Sequence, residues 1–149
     1  MYGVSIQASD FASHMERSVE RLRGEILKAL ERTAQLASTY AKTSTLYKSH
    51  TYGLRSSITW GAQLGTSQAS AVMRASAPYA GFVEFGTRPH AIEARRKSTL
   101  RFVQNGAVRF ARIVHHPGTK PRPFMAQAQE RATPLLERLM GEAVQRSFG

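Results

Sequence analysis

Leu100-Arg101-Phe102-Val103-Gln104-Asn105-Gly106-Ala107-Val108-Arg109-Phe110-Ala111-Arg112-Ile113-Val114 decides the fold class of this 149-residue chain. Two short runs, 100–104 and 108–114, flank Asn105-Gly106, a strong hairpin signal because the favoured tight turn needs positive φ at both central residues. Two registers are open to it. A two-residue loop opposes Phe102 to Arg109 and Arg101 to Phe110, mixing charge with aromatics on both faces. A three-residue loop that takes in Ala107 groups Leu100, Phe102, Val108 and Phe110 on one face, with Arg101, Val103 and Arg109 on the other. The second register is expected, because a one-residue slip moves the whole apolar set to the wrong side.

Upstream, residues 54–60 alternate with period two, Leu54, Ile58 and Trp60 on one side and Arg55, Ser57 and Thr59 on the other, which reads as a half-buried strand. Residues 61–68 form a small polar connection, and 69–77 a returning strand with Met73 inward. Before these, Phe11, Met15, Val19, Leu22, Ile26, Leu30, Ala34 and Ala37 recur at steps of three and four behind the N-cap candidates Ser9 and Asp10, the period of one helix face. Run to Ala41, that helix is about 48 Å long, more than the roughly 38 Å diameter of a compact domain of this length. It must bend near Gly24 or project, and a projecting apolar stripe needs a partner.

Pro78 suits the first position of a short helix carrying Tyr79, Phe82 and Val83, with Gly86 as its end. Tyr79, Phe82 and Phe85 are expected in the core. Residues 115–123, with three prolines and a glycine, read as a loop. Phe124, Met125, Ala128, Leu135, Leu136, Leu139 and Val144 then trace a second amphipathic helix, interrupted or kinked at Pro134. Strands bracketed by helices predict an α+β fold: an antiparallel sheet of about four strands, a long N-terminal helix, a short central helix and a C-terminal helix, in a single domain over 1–149. No internal repeat is apparent.

The sequence has no cysteine, which excludes disulfides, thiolate metal sites and cysteine nucleophiles. The opening residues Met1–Gln7 lack a basic region followed by an apolar run, and no stretch approaches the roughly 18 apolar residues of a membrane span; neither a signal peptide nor a membrane partner is expected. Gly61 and Gly65 before Thr66-Ser67 lack the lysine a phosphate loop requires. His90, His115 and His116 with Glu84 or Glu93 could compose a metal site only in part, since adjacent histidines on an extended segment point to opposite sides; no metal and no cofactor is expected, and His116 is expected to pack against Pro117 and hydrogen-bond its own loop. No Gly-x-Ser-x-Gly elbow or comparable nucleophile setting is present, so no catalytic residue is assigned.

The formal charge is +11, and its location is the informative part. Between Arg88 and Arg122 nine basic residues, Arg88, Arg95, Arg96, Lys97, Arg101, Arg109, Arg112, Lys120 and Arg122, face one acid, Glu93. Tyr79-Ala80-Gly81-Phe82-Val83-Glu84-Phe85-Gly86-Thr87-Arg88-Pro89-His90, the basic stretch with Leu100, and His116-Pro117-Gly118-Thr119-Lys120-Pro121-Arg122-Pro123-Phe124-Met125 together resemble the tail completion, or head-tail joining, family of long-tailed bacteriophages. The resemblance covers the central third; the flanking helices agree in type and order. That family more often has a proline before its basic pair near position 94, where this chain reads Ala94-Arg95-Arg96-Lys97.

The resemblance implies a virion structural protein without catalysis, assembled in the host cytoplasm. Its copies would form a homo-oligomeric ring of six at the neck, contacting the tail tube protein and the head connector or stopper, with genomic double-stranded DNA in the channel. Arg88, Arg95, Arg96, Lys97, Arg101, Arg109, Lys120 and Arg122 become candidates for contact with DNA or a neighbouring ring, and Tyr79, Phe82, Glu84 and His116 for the subunit interface. Six copies at +8 place about +48 around a pore, against about 20 phosphates along a ring roughly 35 Å tall at one per ~1.7 Å. Full neutralisation would trap the DNA, so under half of these side chains are expected to face the lumen. The rival reading is a free nucleic-acid-binding protein using the same 88–122 segment, although no helix concentrates basic residues for groove entry.

Overall fold

The computed structural model describes residues 8–48, 52–95 and 98–148. Its elements are α1 (Ala8–Thr43), α2 (Gly53–Ser56), β1 (Ile58–Leu64), β2 (Ala69–Ala75), α3 (Ala80–Phe85), β3 (His90–Glu93), β4 (Leu100–Gln104), β5 (Ala107–Ala111), β6 (Ile113–His116) and α4 (Phe124–Phe148). The class is α+β, with the strands paired as three two-stranded antiparallel sheets, β1–β2, β3–β6 and β4–β5. The chain divides into two compact units, one of 1–77 and 124–149, the other of 78–123.

The first unit is organised by α1, a 36-residue helix about 54 Å long at about 1.5 Å per residue. Asp10 in its first turn and Lys42 in its last suit the helix dipole. Its buried positions are Ser18, Ala29, Leu30, Ala34, Ala37, Ser38 and Ala41, and those of α4 are Phe124, Ala128, Ala132, Leu139, Ala143 and Ser147. The two helices run antiparallel: Arg146 near the end of α4 pairs with Glu25 at 3.3 Å, and the Arg131 guanidinium stands 4.3 Å over the Tyr40 ring. Alanine and serine dominate the seam, and small side chains let helices close to the short end of the usual 8–10 Å interaxial range.

The sequence expectation for α4 weighted the larger apolar residues. Leu135 and Leu136 are half-buried, and Val144 lies exposed, because the contact is drawn by alanines four residues apart. The helix also continues through Pro134 without the expected interruption; that residue is exposed.

On α1 also packs the β1–β2 hairpin, in the register Ile58↔Ala75, Trp60↔Met73 and Leu64↔Ala69. Arg23 of α1 donates to the carbonyl of Gly65 in the turn at 3.3 Å. The strand reaches Leu64, beyond the expected end at Trp60, and its turn is closed by Gly65 N–H donating to Gln68 O at 2.7 Å. It also starts later than expected. Leu54 belongs to α2, a single turn in which Ser56 N–H donates to Tyr52 O and the Ser57 hydroxyl to Leu54 O. The serines satisfy carbonyls of the turn, which a strand would have left to a neighbour. Leu54 and Ile58 are buried all the same, beside a corner where the Tyr47 hydroxyl donates to Ala41 O at 2.9 Å and its ring meets Phe124 edge-on at 4.8 Å.

The apolar stripe of α1 is only partly covered. Ser18 is buried, yet Phe11, Met15 and Val19 are 68, 37 and 46% exposed.

Half-buried Glu25 accepts from Lys28 at 2.8 Å as well as from Arg146. The Lys28 hydrogen bond foremost, with the charges of both cations, holds its carboxyl below the usual carboxylate range. The tie between α1 and α4 therefore contributes above that range and is lost as pH falls through the lowered value. Glu25→Gln is expected to flatten the acid limb of a stability-versus-pH curve. In the seam, Ala132→Leu forces two closely packed helices apart and is expected to cost about 1–3 kcal/mol, read as a fall in the urea midpoint with the slope unchanged.

Candidate functional site

Residues 78–123 hold every sequence-nominated site residue. Two ladders share this unit. In β3–β6, His90 faces His116, Ala91 faces His115, Ile92 faces Val114 and Glu93 faces Ile113; in β4–β5, Leu100 faces Ala111, Phe102 faces Arg109, Val103 faces Val108 and Gln104 faces Ala107. Between them Ala94 N–H donates to Arg112 O at 3.0 Å, and beyond His90 an isolated bridge joins Thr87 to Thr119 in the same register. The segments 87–94 and 100–104 thus run antiparallel to 107–119 as one ribbon. The first of its chains carries five extra residues, 95–99. Arg95 among them is exposed; Arg96 and Lys97 lie outside the described residues.

The tip corrects the expected register. Asn105 and Gly106 have φ of 52° and 76°, and Gln104 pairs with Ala107 across a two-residue loop. Positive φ at both positions is the turn whose twist matches the flanking strands. A three-residue loop is favoured only where one face of the hairpin is buried. Here Val103, Val108 and Phe110 are 65, 45 and 64% exposed, so burial does not select the register and turn chemistry does. Arg101 consequently shares a face with Val103, Val108 and Phe110, while Arg109 lies on the face of Leu100 and Phe102.

The base of the ribbon holds a second correction. His115 and His116, expected in a loop, close β6 against β3, and only the segment from Pro117 onward leaves the ladder. Here Gly86-Thr87-Arg88-Pro89 meets Gly118-Thr119-Lys120-Pro121, a short Gly-Thr-basic-Pro repeat that the sequence reading overlooked although it is plain in the residues. The two copies clasp with local two-fold reciprocity. Thr87 N–H donates to Thr119 O at 3.0 Å and Thr119 N–H to Thr87 O at 3.1 Å, with the two hydroxyls 3.2 Å apart. Gly86 (φ 72°, ψ −176°) and Gly118 (φ 87°) each lie against the opposite strand; a Cβ on Gly86 would collide with the Thr119 carbonyl, and one on Gly118 with that of Thr87. Glycine alone fits at both.

Around the clasp, Arg122 N–H donates to Val83 O at 2.9 Å, tying the end of the segment to α3. The His90 and His116 rings lie 5.1 Å apart. His90 donates from Nδ1 to Arg88 O at 2.8 Å, whereas His116 Nδ1 accepts from Gly118 N–H at 3.0 Å, so neutral His90 and His116 carry their protons on different ring nitrogens. His116 thus bonds its own loop, as the sequence suggested. Among the described residues no third metal-type ligand joins the pair.

Arg88, Arg95, Arg101, Arg109, Arg112, Lys120 and Arg122 are all exposed, and among the described residues every ion pair lies within or between α1 and α4. The aromatics of α3 and its N-cap, expected in the core from sequence, lie outside it: Tyr79, Phe82 and Phe85 are 44, 63 and 79% exposed. The face that α3 buries is drawn by Ala80 and Glu84, four residues apart, and the aromatics lie off it. Ala80 and Glu84 are the only described residues of this unit that are buried.

A family model described as "Bacteriophage HK97-gp10, putative tail-component" matches residues 9–86, from α1 through the end of α3. No curated protein and no solved structure matches the chain. Because the clasp requires positive φ at Gly118, Gly118→Ala is expected to speed amide exchange at Thr87 and Thr119 by about 10- to 100-fold, the equivalent of about 1–3 kcal/mol of local strain, measured by NMR.

Proposed function

Because the chain belongs to the HK97-gp10-like family of bacteriophage tail components, we propose that this structural virion protein forms a ring at the neck of the particle. There it completes or terminates the tail and joins it to the head connector, with genomic DNA passing through. Six copies suit the reading, in which 1–149 acts as one tail-completion-like domain and has no catalytic task. Its partners are the tail tube protein and the connector or stopper.

The observation that carries this is the ribbon unit. It exposes seven described cations, none in an ion pair, and an apolar surface of its own, while burying only Ala80 and Glu84. A two-stranded ribbon without a covering layer is marginal in water, and unpaired surface charge is held there at no gain to the isolated subunit. Both features fit a segment completed on assembly. With Arg101 and Arg109 on opposite faces, one face can meet DNA while the other meets protein, which keeps the channel charge below what would trap the duplex. Tyr79 and Phe82, exposed beside Glu84 on α3, suit a subunit contact, and His116 orders the loop next to them.

One observation favours a second reading, a free nucleic-acid-binding protein: a two-stranded ribbon fits the major groove, and this one carries guanidinium groups on both faces. The two readings separate in the phage. Deleting the gene is expected to leave filled heads beside unattached or overlong tails in electron micrographs of the lysate; normal particles would remove the neck assignment. For the ribbon's DNA contact, duplex affinity of the purified protein is expected to fall steeply between low and moderate salt, and affinity indifferent to salt would rule out phosphate contact.

A further inference from the structure

We propose that the ribbon face of Arg101, Val103, Val108 and Phe110 on one copy receives the first three turns of α1, through Phe11, Met15 and Val19, from the next copy. The inference rests on the ring reading and names the contact that builds it.

Both surfaces are exposed. A two-stranded ribbon is stabilised by further strands or by a helix laid on its apolar face. A second ribbon is a poor occupant, since two copies bring like charges together. Among the described residues three helices expose large apolar side chains. The last turns of α4, with Val144 and Phe148, balance Arg138 and Arg146 against Glu137 and Glu142; α3, with Phe82 and Phe85, keeps its one carboxylate, Glu84, buried. Counting exposed side chains, only the first three turns of α1 are net acidic, with Asp10 and Glu16 against Arg17. It alone offers the basic ribbon both an apolar stripe and opposite charge.

The stripe has the right form. Phe11, Met15 and Val19 lie four residues apart on one helix face, and the ribbon presents Val103 directly opposite Val108, with Phe110 beside Arg101. Glu16, next to Met15, is the carboxylate placed to meet Arg101. Donor and acceptor surfaces differ, so the contact is head to tail, the kind that closes into a ring. Three apolar side chains a side fall well short of the roughly 800 Å² per partner of a standard interface. An isolated pair is therefore weak, and closure, which engages every copy twice, supplies the stability.

The absence of cysteine makes the test direct. Met15→Cys and Val108→Cys are introduced singly and together at these exposed sites, and each protein is treated with a short bismaleimide after circular dichroism confirms its fold. The double variant is expected to give a ladder of covalent multimers ending at the closed ring. The single variants mixed should give only heterodimers, and each alone only monomers. Arg101→Glu should reduce laddering about tenfold, with recovery when Glu16→Arg is added. Dimers from Val108→Cys alone, or no ladder from a protein that sizing shows to be oligomeric, would overturn this contact and leave the ring standing. A protein that stays monomeric on sizing, with tail tube present, would remove the ring itself.

Discussion

Everything in the larger unit depends on α1 and α4 approaching closely along a seam of small residues. Ala34, Ala37, Ser38 and Ala41 on one side and Ala128, Ala132, Ala143 and Ser147 on the other leave little between the backbones. Each alanine buries modest area, but a close approach multiplies van der Waals contact along the whole overlap. The seam also decides the order of the chain. Since α4 must return to α1, residues 78–123 are an excursion made between β2 and α4, with Pro78 and Pro123 at its ends.

Much of this was legible in the residues. The periodic stripe of α1, the two hairpins, the short helix closed by Gly86 and the C-terminal helix all follow from spacing and turn chemistry. The failures share a cause. Leu135, Leu136 and Val144 drew the reading because they are large, whereas the seam is made of residues that carry almost no hydrophobic signal. At Asn105-Gly106 an apolar face favours the three-residue loop only if it is buried, and Val103, Val108 and Phe110 are exposed. The tight-turn preference of the dipeptide itself was the better guide. Leu54 shows the same limit on a smaller scale, since a buried leucine before a strand satisfies the pattern equally well from a helical turn.

The site divides differently. The sequence pointed to 79–125, and the structure explains why those two stretches belong together: Gly86–Pro89 and Gly118–Pro121 hold each other by paired threonines and glycines that admit no side chain. Yet the family match runs over 9–86, meeting that motif only at its first residues and drawing instead on α1 and the β1–β2 hairpin. What a single chain cannot display is the complement of an exposed surface. The apolar and basic faces of the ribbon are exposed, and spacing along one chain carries no signal for what covers such a surface.

The clasp has a consequence for how such a protein changes over time. By fixing both strands at the base, it separates the path of the ribbon from its length: what happens between Ala94 and Arg112 has no bearing on how Thr87 meets Thr119. Residues can be added or removed in register-matched pairs at the tip, or without a match in the 95–99 excess, while the root stays in place. A tail protein that must keep pace with diverging partners thus has a segment free to drift, anchored by four glycine and threonine residues that are not.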